Sequence, residues 1–180
     1  MDKRTTAKKE KSKLEKMKTI VLNEKQINQK LVRIAYQILE DTILDSSLLL
    51  VGIKGNGAKI TKELAMILGK ISQQKKFISE LEIDKKNPLS KTIQVNLPEE
   101  DLSNSTIVLI DDVINSGRTM QYALMRLLEI APKRIKTVAL VDRKHRDFPI
   151  RCDYVGLTLS TTLQDRIEVE FEGEKKAYLV

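Results

Sequence analysis

Two adjacent carboxylates and a short polar turn stand between an apolar run and a predicted helix. The carboxylates are Asp111 and Asp112, and the turn offers two hydroxyls and a glycine, at Ser116, Thr119 and Gly117. Free N–H groups at a helix start bind phosphate, and a glycine lets the phosphate approach the backbone. Carboxylates repel phosphate but suit sugar hydroxyls or a hydrated Mg²⁺ ion. These groups predict a sugar-phosphate site, although two such aspartates can also serve only to end a strand and cap a helix.

A second glycine-containing loop, 54–57, follows another apolar run. It is not a Walker P-loop, because Ala58 stands where a lysine should follow the second glycine. It is not a dinucleotide fingerprint either, because Ile60 occupies the place of the third glycine. Both common nucleotide-binding motifs are therefore excluded at this loop.

The elements that must position these groups follow from the spacing of apolar residues. Continuous apolar runs predict buried strands, and recurrence every three or four residues predicts helices. Strands are predicted at 19–22, 47–53, 77–83, 105–110 and 135–141, and helices after the N-cap candidate Asn23, at about 58–70 and at 117–130. Strands that alternate with helices predict an α/β fold, with an open, mostly parallel sheet flanked by helices.

Two regions depart from this alternation. Short strand candidates in the C-terminal part lie at 154–156, 166–171 and 175–180. The last two predict a strand pair, because a Glu-Gly turn separates them. Residues 84–104 contain two prolines and many charges, and their lack of clear order predicts a binding loop or lid. Residues 19–180 are thus predicted to form a single domain.

Composition and charge exclude several classes of protein. The chain of 180 residues has a net charge of +7, and residues 1–18 carry most of it, with eight Lys and Arg against three acids. A lysine-rich tail with few apolar residues predicts a solvated, mobile arm. A single cysteine, Cys152, and a single histidine, His145, exclude an internal disulfide and a Cys/His zinc site. Without a run of 18 apolar residues, we expect a cytoplasmic protein that does not enter the membrane.

The segment 108–119 resembles the phosphoribosyl-pyrophosphate signature of type I phosphoribosyltransferases: an apolar strand, two acids, a short variable stretch, then a hydroxyl, Gly and Thr. Residues 19–180 also resemble one branch of that family, the pyrimidine operon attenuator proteins that double as uracil phosphoribosyltransferases. The matching motifs follow the order of that branch at 33–35, 50–54, 140–143, 149–151 and 153–156. The resemblance implies the type I fold with a small hood, and transfer of phosphoribose from 5-phosphoribosyl 1-pyrophosphate to a nucleobase, uracil, with Mg²⁺.

The resemblance also implies roles for residues by position. The donor would bind along the signature, at Asp111, Asp112, Val113, Ile114, Asn115, Ser116, Gly117, Arg118 and Thr119. Asp111 and Asp112 would be the catalytic pair, holding the ribose hydroxyls and, with the donor, Mg²⁺. The 5′-phosphate would lie on 115–119. The pyrophosphate would lie on the loop formed by Lys54, Gly55, Asn56 and Gly57.

Other implied features concern the base, the lid and the assembly. Tyr154 and Val155 would lie against the base. Residues 84–104 would be the closing loop. As is usual in the family, the chain would form a homodimer or a larger homo-oligomer.

Two departures from the family pattern keep a second function open. The pyrophosphate loop usually reads Lys-Thr-Arg-Gly, whereas 54–57 lack the arginine and the hydroxyl. The closing loop usually carries Tyr-Arg-Asp-Asp, and here Lys85 or Lys86 could replace the arginine only as point charges. The alternative to an enzyme is a regulatory protein that binds a nucleotide or the donor as a signal, acting on RNA or on a protein partner.

Further departures concern the surface that binds RNA in the attenuator branch. The cations and the histidine that remain are Arg33, His145, Arg146 and Arg151. Four positions of that surface are replaced, by Val32, Tyr36, Asp41 and Leu157. Each lost cation removes salt-dependent affinity, so specific RNA binding is not expected. Val32 and Tyr36 lie off the apolar stripe of the first helix, which also fits a contact with a subunit or another helix.

Overall fold

The computed structural model describes residues 18–97, 105–162 and 165–180. The strands in these residues are β1 (Thr19–Leu22), β2 (Ser47–Ile53), β3 (Lys75–Glu82), β4 (Gln94–Val95), β5 (Thr106–Ile114), β6 (Arg134–Asp142), β7 (Tyr154–Thr158), β8 (Ile167–Glu170) and β9 (Lys176–Leu179). The helices are α1 (Glu24–Thr42), α2 (Asn56–Ile71) and α3 (Arg118–Leu128). No helix within the described ranges is long and apolar enough to cross a membrane. The predicted tail, apart from Lys18, lies outside the described residues.

Six strands form the central sheet in the order β4-β3-β2-β5-β6-β7. Every neighbouring pair is parallel except β3 and β4. The central strands are continuous apolar runs because helices cover both faces of the sheet. The predicted open, mostly parallel sheet flanked by helices is therefore confirmed.

Helix α1 begins where the sequence predicts. The Asn23 side chain accepts a hydrogen bond from the backbone of Gln26 at 2.9 Å, and the Gln26 side chain accepts one from the Asn23 backbone at 3.0 Å. This capping box satisfies two N–H groups that the helix cannot pair internally. The apolar stripe of α1 then packs, together with α2, on one face of the sheet.

Strand β5 extends further than the apolar run predicts, because its polar end pairs with β6. Asp111 pairs with Ala139, and Ile114 pairs with Asp142. The two carboxylates therefore lie inside the strand rather than in a turn after it. Since successive strand residues point to opposite faces of a sheet, Asp111 and Asp112 face different surroundings.

The predicted C-terminal strand pair is present, because β8 and β9 pair antiparallel, and it belongs to a three-stranded sheet in the order β1-β9-β8. Strand β1 joins the predicted pair through the partners Thr19 and Leu179. Local patterning cannot reveal this pairing, because the partners lie at opposite ends of the sequence.

The predicted closing loop is partly ordered. Strand β4 falls inside it and pairs antiparallel with the end of β3. The pairing continues at Asn96, whose N–H donates to the carbonyl of Glu80 at 3.2 Å. The expectation that 84–104 lacks regular structure is therefore wrong at β4, and residues 98–104 lie outside the described residues.

A charged cluster closes the sheet at the amino ends of the parallel strands. The buried carboxylate of Asp45 lies 2.6 Å from the Lys133 ammonium, 2.6 Å from the Arg134 guanidinium and 2.7 Å from the Thr106 hydroxyl. Burial alone would raise the pKa of Asp45, but these three donors outweigh it and hold the pKa at about 2. Asp45 is thus ionised and tied to β5 and β6, far along the strands from Asp111.

Candidate active site

The two carboxylates of β5, hereafter the acid pair, lie beside a lysine ammonium. Asp111 is buried, with 4% of its surface exposed. The Lys85 Nζ lies 3.1 Å from Asp111 Oδ1 and 3.8 Å from Asp112 Oδ1. Burial, together with the negative charge of Asp112, raises the pKa of Asp111 to about 7, and Lys85 limits the rise. Burial lowers the pKa of Lys85, but the two carboxylates raise it by more, so Lys85 stays protonated at neutral pH.

The turn after β5 forms a cavity of about 170 Å³ next to Asp111. The cavity is lined by Lys85, Asp111, Val113, Ile114, Asn115, Ser116, Gly117, Arg118, Thr119 and Met120. The structure therefore brings all of the signature residues except Asp112 to one small cavity. Helix α3 starts at its edge, where unpaired N–H groups favour an anion.

Glycine is required at position 117 of this turn. Gly117 has a φ of 83°, a left-handed conformation that other residues rarely adopt. A Cβ atom there would also lie 2.5 Å from a methyl carbon of Ile150. The segment that contains Ile150 holds the turn from outside, since the N–H groups of Asp147 and Phe148 donate to the Ser116 carbonyl at 3.0 and 3.1 Å.

Two arginines that were not predicted as site residues support the turn from behind. Arg143 is buried and donates to the Asn115 side chain at 2.9 Å. Arg146 donates to the Asn115 carbonyl at 3.0 Å and forms an ion pair with Asp142 at 2.6 Å. Both arginines follow the carboxyl end of β6 in the sequence. Because β6 is parallel to β5, the two strands end at the same side of the sheet, and this position could have identified the arginines as site residues.

The predicted pyrophosphate loop contributes one direct contact to the acid pair. The Asn56 Nδ2 donates to Asp112 Oδ2 at 2.9 Å and to the Val169 carbonyl of β8 at 2.7 Å. Gly55 has a φ of 101°, and a Cβ at Gly57 would lie 2.8 Å from a carbonyl of β5. The start of α2 therefore packs directly against the strand that carries the acid pair. The side chain of Lys54 instead pairs with Glu82 at 2.8 Å.

Tyr154, which was predicted to lie against the base, lies in the core, and its contact with a base stays a prediction. Its ring is buried in the core, and its hydroxyl donates to Asp41 at 2.7 Å. The register of β7 explains this, because Tyr154 pairs with Val138, four positions before β6 ends at Asp142. The partly buried Val155 pairs with the next residue of β6, and its contact with a base stays a prediction.

Residues at the positions compared above with the RNA-binding surface of the attenuator branch make contacts within the protein. Arg33 donates to the carbonyls of Val155 and Gly156 at 2.7 and 2.9 Å. The His145 Nε2 lies 2.6 Å from the Thr161 carbonyl. Arg146, as described above, holds the turn. Three groups that could have faced RNA phosphates therefore hold the protein's own backbone.

The acid pair fits a magnesium ion only in part. Across 18–97, 105–162 and 165–180, no group of three or more His, Cys, Asp or Glu side chains could hold a metal. Two carboxylates are suitable oxygen ligands, but Mg²⁺ requires about six, and it commonly takes the remainder from substrate phosphates and water. Asp111 and Asp112 would thus hold Mg²⁺ together with a phosphorylated substrate.

Comparison with known proteins agrees with this arrangement. A family model described as phosphoribosyl transferase domain matches residues 17–172. The chain is 34% identical over 167 residues to the bifunctional protein PyrR of Bacillus cereus (strain B4264) and of Bacillus anthracis (strain CDC 684 / NRRL 3495). Each match covers 86% of this chain and 91% of the relative.

Solved structures share the fold at much lower identity. A hypoxanthine phosphoribosyltransferase of Trypanosoma cruzi superposes with a TM-score of 0.72 and 15% identity, covering 89% of this chain and 95% of that one. A hypoxanthine phosphoribosyltransferase of Staphylococcus aureus gives a TM-score of 0.65 and 19% identity, covering 78% and 77% of the two chains. At this level of identity, the likeness extends to the fold alone.

Proposed function

This chain belongs to the phosphoribosyl transferase family and is a pentosyltransferase, and we propose that it transfers phosphoribose from 5-phosphoribosyl 1-pyrophosphate to uracil. One observation carries the proposal: Asp111 and the turn 115–119 line the same cavity. The turn offers N–H groups and hydroxyls to a phosphate, and the acid pair offers acceptors to sugar hydroxyls. A ribose 5-phosphate carries a phosphate at one end, for the turn, and ring hydroxyls at the other, for the acid pair.

The residues of the cavity have distinct roles in this reaction. Residues 115–119 bind the 5′-phosphate, and the acid pair binds the ribose hydroxyls. As pyrophosphate leaves, positive charge develops at the anomeric carbon, and the nearby carboxylates stabilise it. A nitrogen of the base forms the new bond to that carbon and gives up its proton, while the pyrophosphate takes the electron pair of the broken C–O bond. When bound, Mg²⁺ neutralises charge on the departing pyrophosphate, and no covalent enzyme intermediate is required.

The choice of uracil rests on the resemblance to the pyrimidine operon attenuator branch. The test is to incubate the protein with labelled donor and Mg²⁺ and with each free base in turn. We expect uridine monophosphate from uracil, and no product from hypoxanthine or guanine. A purine nucleotide as the main product would contradict the choice of base.

A donor-sensing or nucleotide-sensing regulator is the second candidate, because the loop 54–57 lacks the arginine of the usual family pattern and its Lys54 pairs with Glu82. The same assay separates the two candidates. Donor binding by calorimetry without any nucleotide product would favour the regulator. For either candidate we expect a cytoplasmic protein. We also expect a homodimer or a larger homo-oligomer, and sedimentation measures this oligomeric state directly.

We expect weak and unspecific binding of RNA. Arg33, His145 and Arg146 already bind carbonyls of the protein, which reduces what three of the four surviving groups can offer to an RNA hairpin. A pyrimidine-leader hairpin and a scrambled control should bind alike, and binding should fall steeply as salt rises. Deleting residues 1–18 should remove most of the binding. A preference of about a hundredfold for the hairpin by the truncated protein, near physiological salt, would contradict this, because specific complexes exceed unspecific ones by about 10³ or more.

A further inference from the structure

Lys85 places a positive charge next to carboxylate oxygens of the acid pair that would otherwise be accessible to a ligand. Its Nζ lies 3.1 and 3.4 Å from the two oxygens of Asp111, and 3.8 Å from the nearer oxygen of Asp112. The Asp111 side chain is only 5% exposed and the Lys85 side chain is 45% exposed, so solvent screens this contact from the lysine side but not from the side of the carboxylate. The ammonium therefore uses acceptor positions that a divalent cation or two ribose hydroxyls would use.

A tight turn fixes the position of Lys85. The Asp84 Oδ1 accepts hydrogen bonds from the N–H groups of Lys86 and Asn87 at 2.9 and 3.0 Å. The Ser90 hydroxyl lies 3.3 Å from the other oxygen of Asp84 and donates to the Asn87 carbonyl at 2.7 Å. This turn starts two residues after β3 ends at Glu82, so the carboxyl end of β3 positions the backbone of Lys85.

We propose that Lys85 is a built-in counter-ion that keeps the acid pair closed to a free divalent cation until the donor arrives. An ammonium beside both carboxylates repels a second cation and uses the lone pairs that would coordinate it. A donor brings an anionic pyrophosphate, which offers the ammonium a new partner and releases the carboxylates. The release step rests on the proposed function, whereas the exclusion of a free cation rests only on the contacts of Lys85.

The test measures binding of Mn²⁺ to the donor-free protein, by the loss of the electron paramagnetic resonance signal of free Mn²⁺. Wild-type protein, Lys85→Met, Lys85→Gln and Lys86→Met are compared. Lys86 is the matched control, because it is the adjacent lysine in the same turn and contributes its backbone N–H to Asp84. We expect both Lys85 variants to bind Mn²⁺ at least about tenfold more tightly than wild type, because a like charge next to the site is removed. Lys86→Met should match wild type.

Equal Mn²⁺ affinity in wild type and the Lys85 variants would overturn the proposal. An equal gain in Lys86→Met would also overturn it, because a general change in net charge would then account for the effect. Donor binding with Mg²⁺, followed by calorimetry on the same samples, tests the proposed function separately. If the donor binds to none of the proteins, the proposed function fails, and the Mn²⁺ comparison still decides the role of Lys85.

Discussion

Asp112→Asn is expected to lower kcat/KM for nucleotide formation by about 10²-fold, the scale seen when one group that stabilises developing charge is removed from an active site. The substitution keeps the size of the side chain but removes the negative charge that faces the ribose. Asp112 is partly accessible, with 16% of its side chain exposed, so it can reach a ligand directly. Steady-state assays with the labelled donor measure the change.

The same variant should lose little stability. The Asp112 Oδ1 accepts from the Val113 N–H at 2.9 Å, and an asparagine oxygen can keep that bond. The new amide NH₂ would then face the donating NH₂ of Asn56, so one hydrogen bond is lost, at a cost of about 1 kcal/mol. If activity and melting temperature fell together to the same degree, Asp112 would be structural rather than part of the site.

Asp45→Asn is the matched change at the amino ends of the parallel strands. It should lower stability and leave the activity of the folded protein unchanged. It removes the carboxylate that holds Lys133 and Arg134 at 2.6 Å. Hydrogen bonds to charged groups contribute about 1.5–3 kcal/mol each. Because the two cations are 51% and 37% exposed and can return to water, we expect a loss of about 2–3 kcal/mol in the free energy of unfolding. That corresponds to roughly 5–10 °C in melting temperature.

The effect of Asp45→Asn should depend on pH in a defined direction. The folded pKa of Asp45, about 2, is below the ordinary 3.8, so its contribution is fully present above pH about 4. It is lost as the pH falls through about 2. Urea unfolding of both proteins at pH 7, 5 and 3 should give a constant difference at the first two values and a smaller one at the third. A difference that grew on acidification would contradict the assigned ion pairs. Reduced activity per folded molecule at pH 7 would contradict a purely structural role for Asp45.

The strands of the sheet could be predicted from the sequence wherever both faces of the strand are buried. Strands β2 and β6 contain uninterrupted apolar runs of strand length, and such runs are typical of parallel strands with both faces covered. The end of β5 could not be predicted in this way, because Asp111 and Asp112 break the apolar run while the backbone continues to pair with β6. Strand β4, with two residues, is defined by its partner β3 rather than by its own sequence.

The site was predictable where local sequence sets local geometry. The turn around Gly117 is such a place, since a glycine at a helix start can be read directly. The contact of Lys85 with Asp111 joins a loop to a strand, and no spacing rule connects them. The burial of Tyr154 could not be predicted from its motif, because motif position does not give strand register, and register decides how far a residue lies from the end of a strand.

The pairing of β1 with β9 bears on the order in which the protein can fold during synthesis. Strand β9 begins about 150 residues after β1 ends, so a nascent chain can assemble β2 to β7 while β1 still lacks its partner. At that stage the side-chain amide of Asn56 can contact Asp112 but lacks its second acceptor, the carbonyl of Val169. The Asn56 amide that contacts Asp112 thus gains its second acceptor only after β8 has left the ribosome, well after the strand that carries the acid pair has been made.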